Sequence, residues 1–231
     1  MSTTPNRQAL VIGASKGLGL VLVDELARRD WHVIATTRQD GGELRADADA
    51  SNGRLTVESL EMNSPEQLAA LRERLAGRRF DLLFVNGAID RGNLSIDQVP
   101  TDMFTEVMIT NALSPLRVLE SLRDLVAPGG TVGVMSSEQG SISQNTEDGY
   151  ELYKASKAAL NQLMRSYATR YADDGHTKLL IDPGHNRTGL GGFDAPLDPK
   201  ENIPAVVDVL EAQAGAPGLQ FLDRHGEPVP W

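Results

Sequence analysis

The chain contains no cysteine, so neither a disulfide nor a thiolate nucleophile or metal ligand contributes to its chemistry. Histidine is scarce as well. His32, His176, His185 and His225 are scattered and fall into no metal-ligand spacing, so no metal site is expected. No apolar run approaches the length that spans a bilayer, and Met1-Ser2-Thr3-Thr4-Pro5-Asn6-Arg7-Gln8 lacks the apolar core of a signal peptide. The expectation is a cytoplasmic protein without membrane attachment. Basic excess is missing too: 22 Lys and Arg against 32 Asp and Glu give a formal net charge of −10, the wrong sign for a general phosphate-backbone binder. Nucleic acid is therefore not an expected partner, although a local basic pocket for one small anion is still allowed. What is present is ordinary for a globular protein, with 40% hydrophobic and 23% charged residues. At 231 residues the chain reads as one domain over 1–231, burying roughly 70–75% of its unfolded-chain surface.

Short apolar runs bounded by glycine alternate with longer periodic segments. Strands are expected at residues 9–12, 31–36, 55–60, 80–85, 131–136, 178–181 and 219–222, about seven in all. Helices are expected at 17–29, at 102–126 with a break near Asn111, at 150–171 and at 204–214. A further helix starts at Ser64-Pro65-Glu66-Gln67, where serine can cap, proline suits the first turn and Gln67 completes a capping box. Residues 40–53, rich in Ala, Asp and Gly, read as loop or weak helix. Strand alternating with helix implies an α/β fold, a doubly wound parallel sheet with helices on both faces.

The first strand runs into Gly13-Ala14-Ser15-Lys16-Gly17-Leu18-Gly19 and then a helix. Glycines there permit a tight turn and let the backbone approach a pyrophosphate that the helix N-terminus attracts. The same segment also matches Gly-x-Ser-x-Gly, the hydrolase nucleophile elbow, with Ser15 as nucleophile and Asp182 and His225 following in order. Against that reading, no earlier strand supplies an oxyanion-hole loop, and Gly19 is left without a purpose. At the end of the second strand, Thr36-Thr37-Arg38 holds no carboxylate for a ribose 2′-hydroxyl. Arg38 and Lys16 instead suit a 2′-phosphate, so NADP(H) is favoured over NAD(H).

Tyr153 and Lys157 stand four residues apart at the start of a long amphipathic stretch, so a helix puts phenol and ammonium on one face. A nearby ammonium favours the phenolate, and such a tyrosine can exchange a proton with a substrate hydroxyl.

With these motifs in place, the chain resembles the short-chain dehydrogenases/reductases over nearly its whole length. The marks are Gly13-x-x-x-Gly17-x-Gly19, Val85-Asn86-Gly87-Ala88, Asn111-Ala112-Leu113-Ser114-Pro115, Ser136-Ser137-Glu138-Gln139-Gly140-Ser141, Tyr153-x-x-x-Lys157 and Pro183-Gly184-His185-Asn186-Arg187-Thr188. The stretch 135–159 and the ending Gly226-Glu227-Pro228-Val229-Pro230-Trp231 look most like the sniffer- and C-factor-like carbonyl reductases. The resemblance implies a Rossmann-type fold and an NADP(H)-dependent oxidoreductase acting on a small carbonyl or alcohol substrate. It implies that Ser137 polarises the carbonyl, Tyr153 is acid or base, Lys157 holds the nicotinamide ribose and Asn111 supports a proton path. Ser136 and Ser141 remain alternatives to Ser137. Cofactor contacts implied in the same way are Gly13, Ser15, Lys16, Gly17, Leu18, Gly19, Arg38, Glu61, Met62, Asn86, Gly87, Ala88, Tyr153, Lys157, Pro183, Gly184, Asn186 and Thr188. Glu61 stands where the family commonly has aspartate, and Asn186 replaces a customary apolar residue.

Leu113, Leu116, Leu119 and Leu122, and later Leu152, Leu160, Leu163, Met164 and Tyr167, follow helical spacing. Sheet packing explains them, and by resemblance the two helices also suit a homodimer or homotetramer. Residues 189–203, rich in Gly, Pro and Asp, read as a lid within about 184–203, with Leu190, Phe193 and Leu197 available to line an apolar pocket or to anchor the loop. Outside enzymology, the alternative is a dinucleotide-binding signalling or regulatory protein.

Overall fold

In the computed structural model, residues 7–39 and 41–231 are described. The readings of residues 1–6 and of Asp40 lie outside them. One seven-stranded sheet forms from β1 (Gln8–Ile12), β2 (His32–Thr37), β3 (Leu55–Ser59), β4 (Phe80–Val85), β5 (Val126–Met135), β6 (Thr177–Asp182) and β7 (Gly218–Asp223). Its order is β3-β2-β1-β4-β5-β6-β7, with every neighbouring pair parallel. The order reverses between β1 and β4, so the crevice beyond their carboxyl ends is where such sheets bind ligands. The helices are α1 (Gly17–Arg28), α2 (Gly42–Ala50), α3 (Pro65–Arg74), α4 (Thr101–Met108), α5 (Ser114–Leu122), α6 (Glu151–Arg170) and α7 (Pro199–Ala212).

Strand alternation divides the core. Leu10, Ile12, Leu83 and Val85 pack with α3, α5 and α6, while Ala9, Val11, Leu82 and Phe84 pack with α1 and α7. Both sets are buried because successive strand residues point to opposite faces and helices cover each face.

Several elements settle an open expectation or differ from it, each for a physical reason. Residues 42–50 are helical because Leu44, fully buried, docks this short helix on the core. Helix α7 starts five residues before the expected Pro204. Asp198 accepts from the backbone N–H of Lys200 at 2.9 Å and Pro199 takes the first position, so Pro204 lies inside the helix. The last part of the supposed lid is therefore helix. Strand β5 begins at Val126, before Pro128, with a register shift between Phe80 and Leu82 absorbing the Pro-Gly-Gly. The break near Asn111 is a π-helical turn, Ile109–Leu113, joining α4 to α5. Ser64 does cap α3, accepting from Gln67 N at 3.2 Å. The reciprocal half of the box is absent, because Gln67 Oε1 accepts from Glu61 N instead.

Candidate active site

At the end of β1 the backbone turns through Gly13 with φ of +84°, and a Cβ there would stand 2.8 Å from Cα of Gly87, just beyond β4. A Cβ on Gly19 would meet Gly13 O at 2.3 Å and Asn86 Nδ2 at 2.6 Å. The glycine turn, the first turn of α1 and the loop after β4 thus pack backbone against backbone, which only glycine permits. Asn86 Nδ2 donates to Gly13 O at 2.9 Å, and Asn86 N donates to Ile12 O at 2.9 Å. From β2, buried Thr36 accepts from Gly13 N through Oγ1 at 3.0 Å and from Ala14 N through its carbonyl at 2.9 Å. Nothing in the sequence around Thr36 marks this role, since a strand-end hydroxyl gives no local sign of a partner.

Lys16, the N-cap of α1, makes no side-chain cap, and the first turn carries no acidic residue. The free N–H groups and positive end of the helix dipole there fit a diphosphate. Lys16 and Arg38 line the same cleft, and Arg38 Nη1 lies 3.7 Å from Glu61 Oε2. This donor set fits a dinucleotide with an additional phosphate.

The cleft has a volume of about 730 Å³. Every implied catalytic or cofactor residue lines it except Gly19 and Asn111. Gly19 acts from behind the loop, as the close approaches above show. Asn111 is fully buried on the π-helical turn. Its Oδ1 accepts from Ile89 N at 2.8 Å, and its Nδ2 donates to Ile89 O at 2.8 Å and to Ser156 Oγ at 3.0 Å. Ser156 in turn donates to Tyr153 O at 2.7 Å. Asn111 therefore braces the cleft wall and the start of α6.

The three candidate serines separate by their partners. Ser136, buried, donates to Asn161 Oδ1 at 2.6 Å. Ser141, also buried, faces Ser143 Oγ at 3.3 Å outside the cleft lining. Ser137 lines the cleft, and its Oγ accepts from Gln139 N at 3.2 Å, which leaves the hydroxyl proton for another acceptor.

Lys157 is almost wholly buried, its Nζ donating to Met135 O at 2.9 Å and lying 5.6 Å from the Tyr153 ring centroid. Burial lowers its pKa to about 8, opposed by the charge of Asp182. The Tyr153 phenol departs from expectation. Its pKa is pushed up, first by burial and then by the carboxylates of Asp90 and Asp182. The ammonium does not reverse this, because it is turned to the Met135 carbonyl and desolvation of the phenolate weighs more.

Thr188 Oγ1 accepts from Gly191 N at 3.0 Å, and its methyl side lies over Gly17. Asn186 is buried, donating to Pro183 O and Gly184 O, each at 2.9 Å, so its amide shapes the turn after β6. Of the proposed lid side chains, Leu190 lines the cleft, whereas Phe193 is 87% exposed and Leu197 packs toward Gly184. Asp90, Tyr150 and Gln139 also line it. Asp90 lies in a loop, Gln139 in a 3-10 turn and Tyr150 at the N-cap of α6, and only the fold brings them together. His225, which a hydrolase would need, lies outside the cleft that holds Ser15 and Asp182.

Comparison with known proteins agrees with this geometry. The family model described as short chain dehydrogenase matches residues 7–194. The 1-hydroxy-2-glutathionyl-2-methyl-3-butene dehydrogenase of Rhodococcus sp. is 33% identical over 96% of this chain and 98% of its own length. A Burkholderia multivorans protein assigned to the short-chain dehydrogenases/reductases, with bound NADP, superposes with a TM-score of 0.96 at 48% identity, covering 98% of this chain and all of that one. A carbonyl reductase from Pseudomonas aeruginosa in complex with NADP gives 0.90 at 34% identity, over 98% and 100% of the two chains. Motif order, sheet order and these likenesses coincide along most of the chain, which belongs to the short-chain dehydrogenase/reductase family of oxidoreductases.

Proposed function

We propose that the protein is an NADP(H)-dependent carbonyl reductase or alcohol dehydrogenase, working as a single dinucleotide-binding domain. The observation that carries this reading is the meeting of the Ser137 hydroxyl, the Tyr153 phenol and the buried Lys157 amine in the cleft that holds the glycine cradle. Bound NADP(H) would supply or accept the hydride. Ser137 donates its free hydroxyl proton to the substrate oxygen and fixes the carbonyl. Tyr153, held protonated by its surroundings, gives its proton to that oxygen as negative charge develops, and takes it back in the reverse direction. Lys157 braces the base of the site and stands ready for the nicotinamide ribose. Lys16 and Arg38 favour the 2′-phosphate and hence NADP(H). The NADP-bound relatives support that preference.

The deciding experiment is Tyr153→Phe, assayed by nicotinamide absorbance with aldehydes, ketones and diketones. Loss of roughly 10²- to 10⁴-fold in kcat with NADPH binding retained is expected. Unchanged turnover would overturn the proton-transfer role.

A second reading, a signalling or regulatory protein, draws support from the C-signal protein of Myxococcus xanthus, 30% identical over 65% of this chain. The combination of a free Ser137 hydroxyl with Tyr153 and Lys157 favours the enzyme, because a sensor needs no proton donor.

A further inference from the structure

Among the described residues, Asp182 is the one buried carboxylate in the cleft lining, and the reading above gives it no part. It ends β6, directly after Ile181, which pairs with Met135 of β5. Met135 is the residue whose carbonyl holds the Lys157 ammonium, and Ile181 O accepts from Ser136 N at 2.7 Å. Asp182 Oδ1 accepts from the backbone N–H of Glu138 at 3.0 Å, the residue after Ser137. The backbone N–H of Gly184, in the turn that follows β6, favours the charged carboxylate from the other side. The residue that leads into the Pro183-Gly184 turn thus holds the serine loop, and both segments line the cleft. Its charge reaches both Lys157 and Tyr153 on α6.

We propose that Asp182 is a positioning residue for this chemistry, fixing Ser137 through the Glu138 backbone and holding Lys157 and Tyr153 in their protonated forms. The proposal deepens the reductase reading and rests on it. The two actions have one origin. A carboxylate at the end of an interior strand is desolvated enough for its charge to be felt, yet the backbone N–H of Glu138 keeps it from being stranded. The other charged groups around it are Glu138 on the serine loop and Asp223 on β7, both of which push the Asp182 carboxyl upward, as burial does first. Asp90 adds to the field at Tyr153. The alkaline range in which Lys157 and Tyr153 lose their protons is one in which a carboxyl is ionised, so the field of Asp182 operates there.

The sign is the same for both targets. Removing a negative charge disfavours the ammonium and favours the phenolate, so both pKa values fall. Carbonyl reduction requires the protonated forms, so its alkaline limb moves toward acid. Alcohol oxidation requires the phenolate, so its acid limb moves in the same direction.

Asp182→Asn keeps the shape and an oxygen for Glu138 N–H but removes the charge, whereas Asp182→Ala removes both. Lys157 is titrated by NMR on lysine-labelled protein, with the signal assigned through Lys157→Met. The Glu138 amide is followed by hydrogen exchange, and kcat is recorded against pH with NADPH and the most active carbonyl of the panel. In Asp182→Asn the Lys157 pKa and the alkaline limb are expected to fall together by about one pH unit, with Glu138 exchange near that of the wild type. In Asp182→Ala the Glu138 amide is expected to exchange about tenfold faster or more, and KM for the carbonyl to rise. A Lys157 pKa unmoved by Asp182→Asn, or a Glu138 amide equally protected in both variants, overturns the proposal. Should the wild type reduce no carbonyl, the reductase reading fails, while the Lys157 titration and Glu138 exchange still decide what Asp182 does.

Discussion

The carbonyl oxygen of Trp231 accepts two hydrogen bonds from Ser143, one from the backbone N–H at 3.1 Å and one from the hydroxyl at 2.6 Å. The indole is held in turn, with the Arg165 guanidinium of α6 4.1 Å from its ring centroid and Phe221 of β7 at 5.6 Å. Trp231 therefore pins the segment that follows Ser137 to the sheet and to α6, and removing its ring loosens that segment. Trp231→Ala is expected to cost about 1–3 kcal/mol of stability and to speed hydrogen exchange between residues 141 and 149. Exchange unchanged in that segment would refute the tether.

Gly19 leaves no room for a side chain, since a Cβ would lie 2.3 Å from the Gly13 carbonyl. Gly19→Ala has to push the cradle apart. The Kd for NADPH, followed by fluorescence titration, is expected to rise at least about tenfold, equivalent to about 1.4 kcal/mol. Retained affinity would show that the cradle does not hold the diphosphate.

Lys16 and Arg38 both line the cleft, and the function proposed above assigns them the 2′-phosphate. Each charge-assisted contact to phosphate contributes about 1.5–3 kcal/mol. Removing both contacts sums to about 3 kcal/mol or more, so the ratio of kcat/KM for NADPH over NADH is expected to drop at least about 100-fold when both are changed to alanine. A preference that survives the double substitution would remove these residues from cofactor selection.

Lys157 gives a pH-dependent stability whose sign follows from its burial. Its folded pKa, about 8, lies below its ordinary value of 10.5. Between those values the unfolded chain binds more protons than the native one, so stability rises with pH. Relative to Lys157→Met, wild-type stability is expected to climb by up to about 3 kcal/mol from pH 8 to 10. Denaturant titrations at several pH values measure the slope, and a flat difference would contradict the burial account.

Much of the fold can be read locally. Strand β4 has the expected bounds, Phe80–Val85, because its apolar run is closed by an Arg-Arg pair before it and a small-residue loop after it. The Ser64 cap and the break near Asn111 follow from residue chemistry in the same way. Helix α2 does not, since a single buried leucine docked on a distant core decides it. Nor does the start of α7, where two prolines compete and Asp198 selects Pro199 by capping. In the cleft, the motifs and the family resemblance together named residues of which all but Gly19 and Asn111 line its wall, while Thr36, Asp90 and the bond from Glu138 N–H to Asp182 had no local signature.

The sequence alone determined the alternation of strand and helix, the glycine turn and the placement of Tyr153 and Lys157 on one helical face. All are short-range consequences of backbone sterics and side-chain period. Tertiary structure decided which serine keeps a free hydroxyl proton and which way the Tyr153 phenol shifts. Those outcomes depend on desolvation and on partners from other strands, and neither exists until the sheet has brought distant segments together.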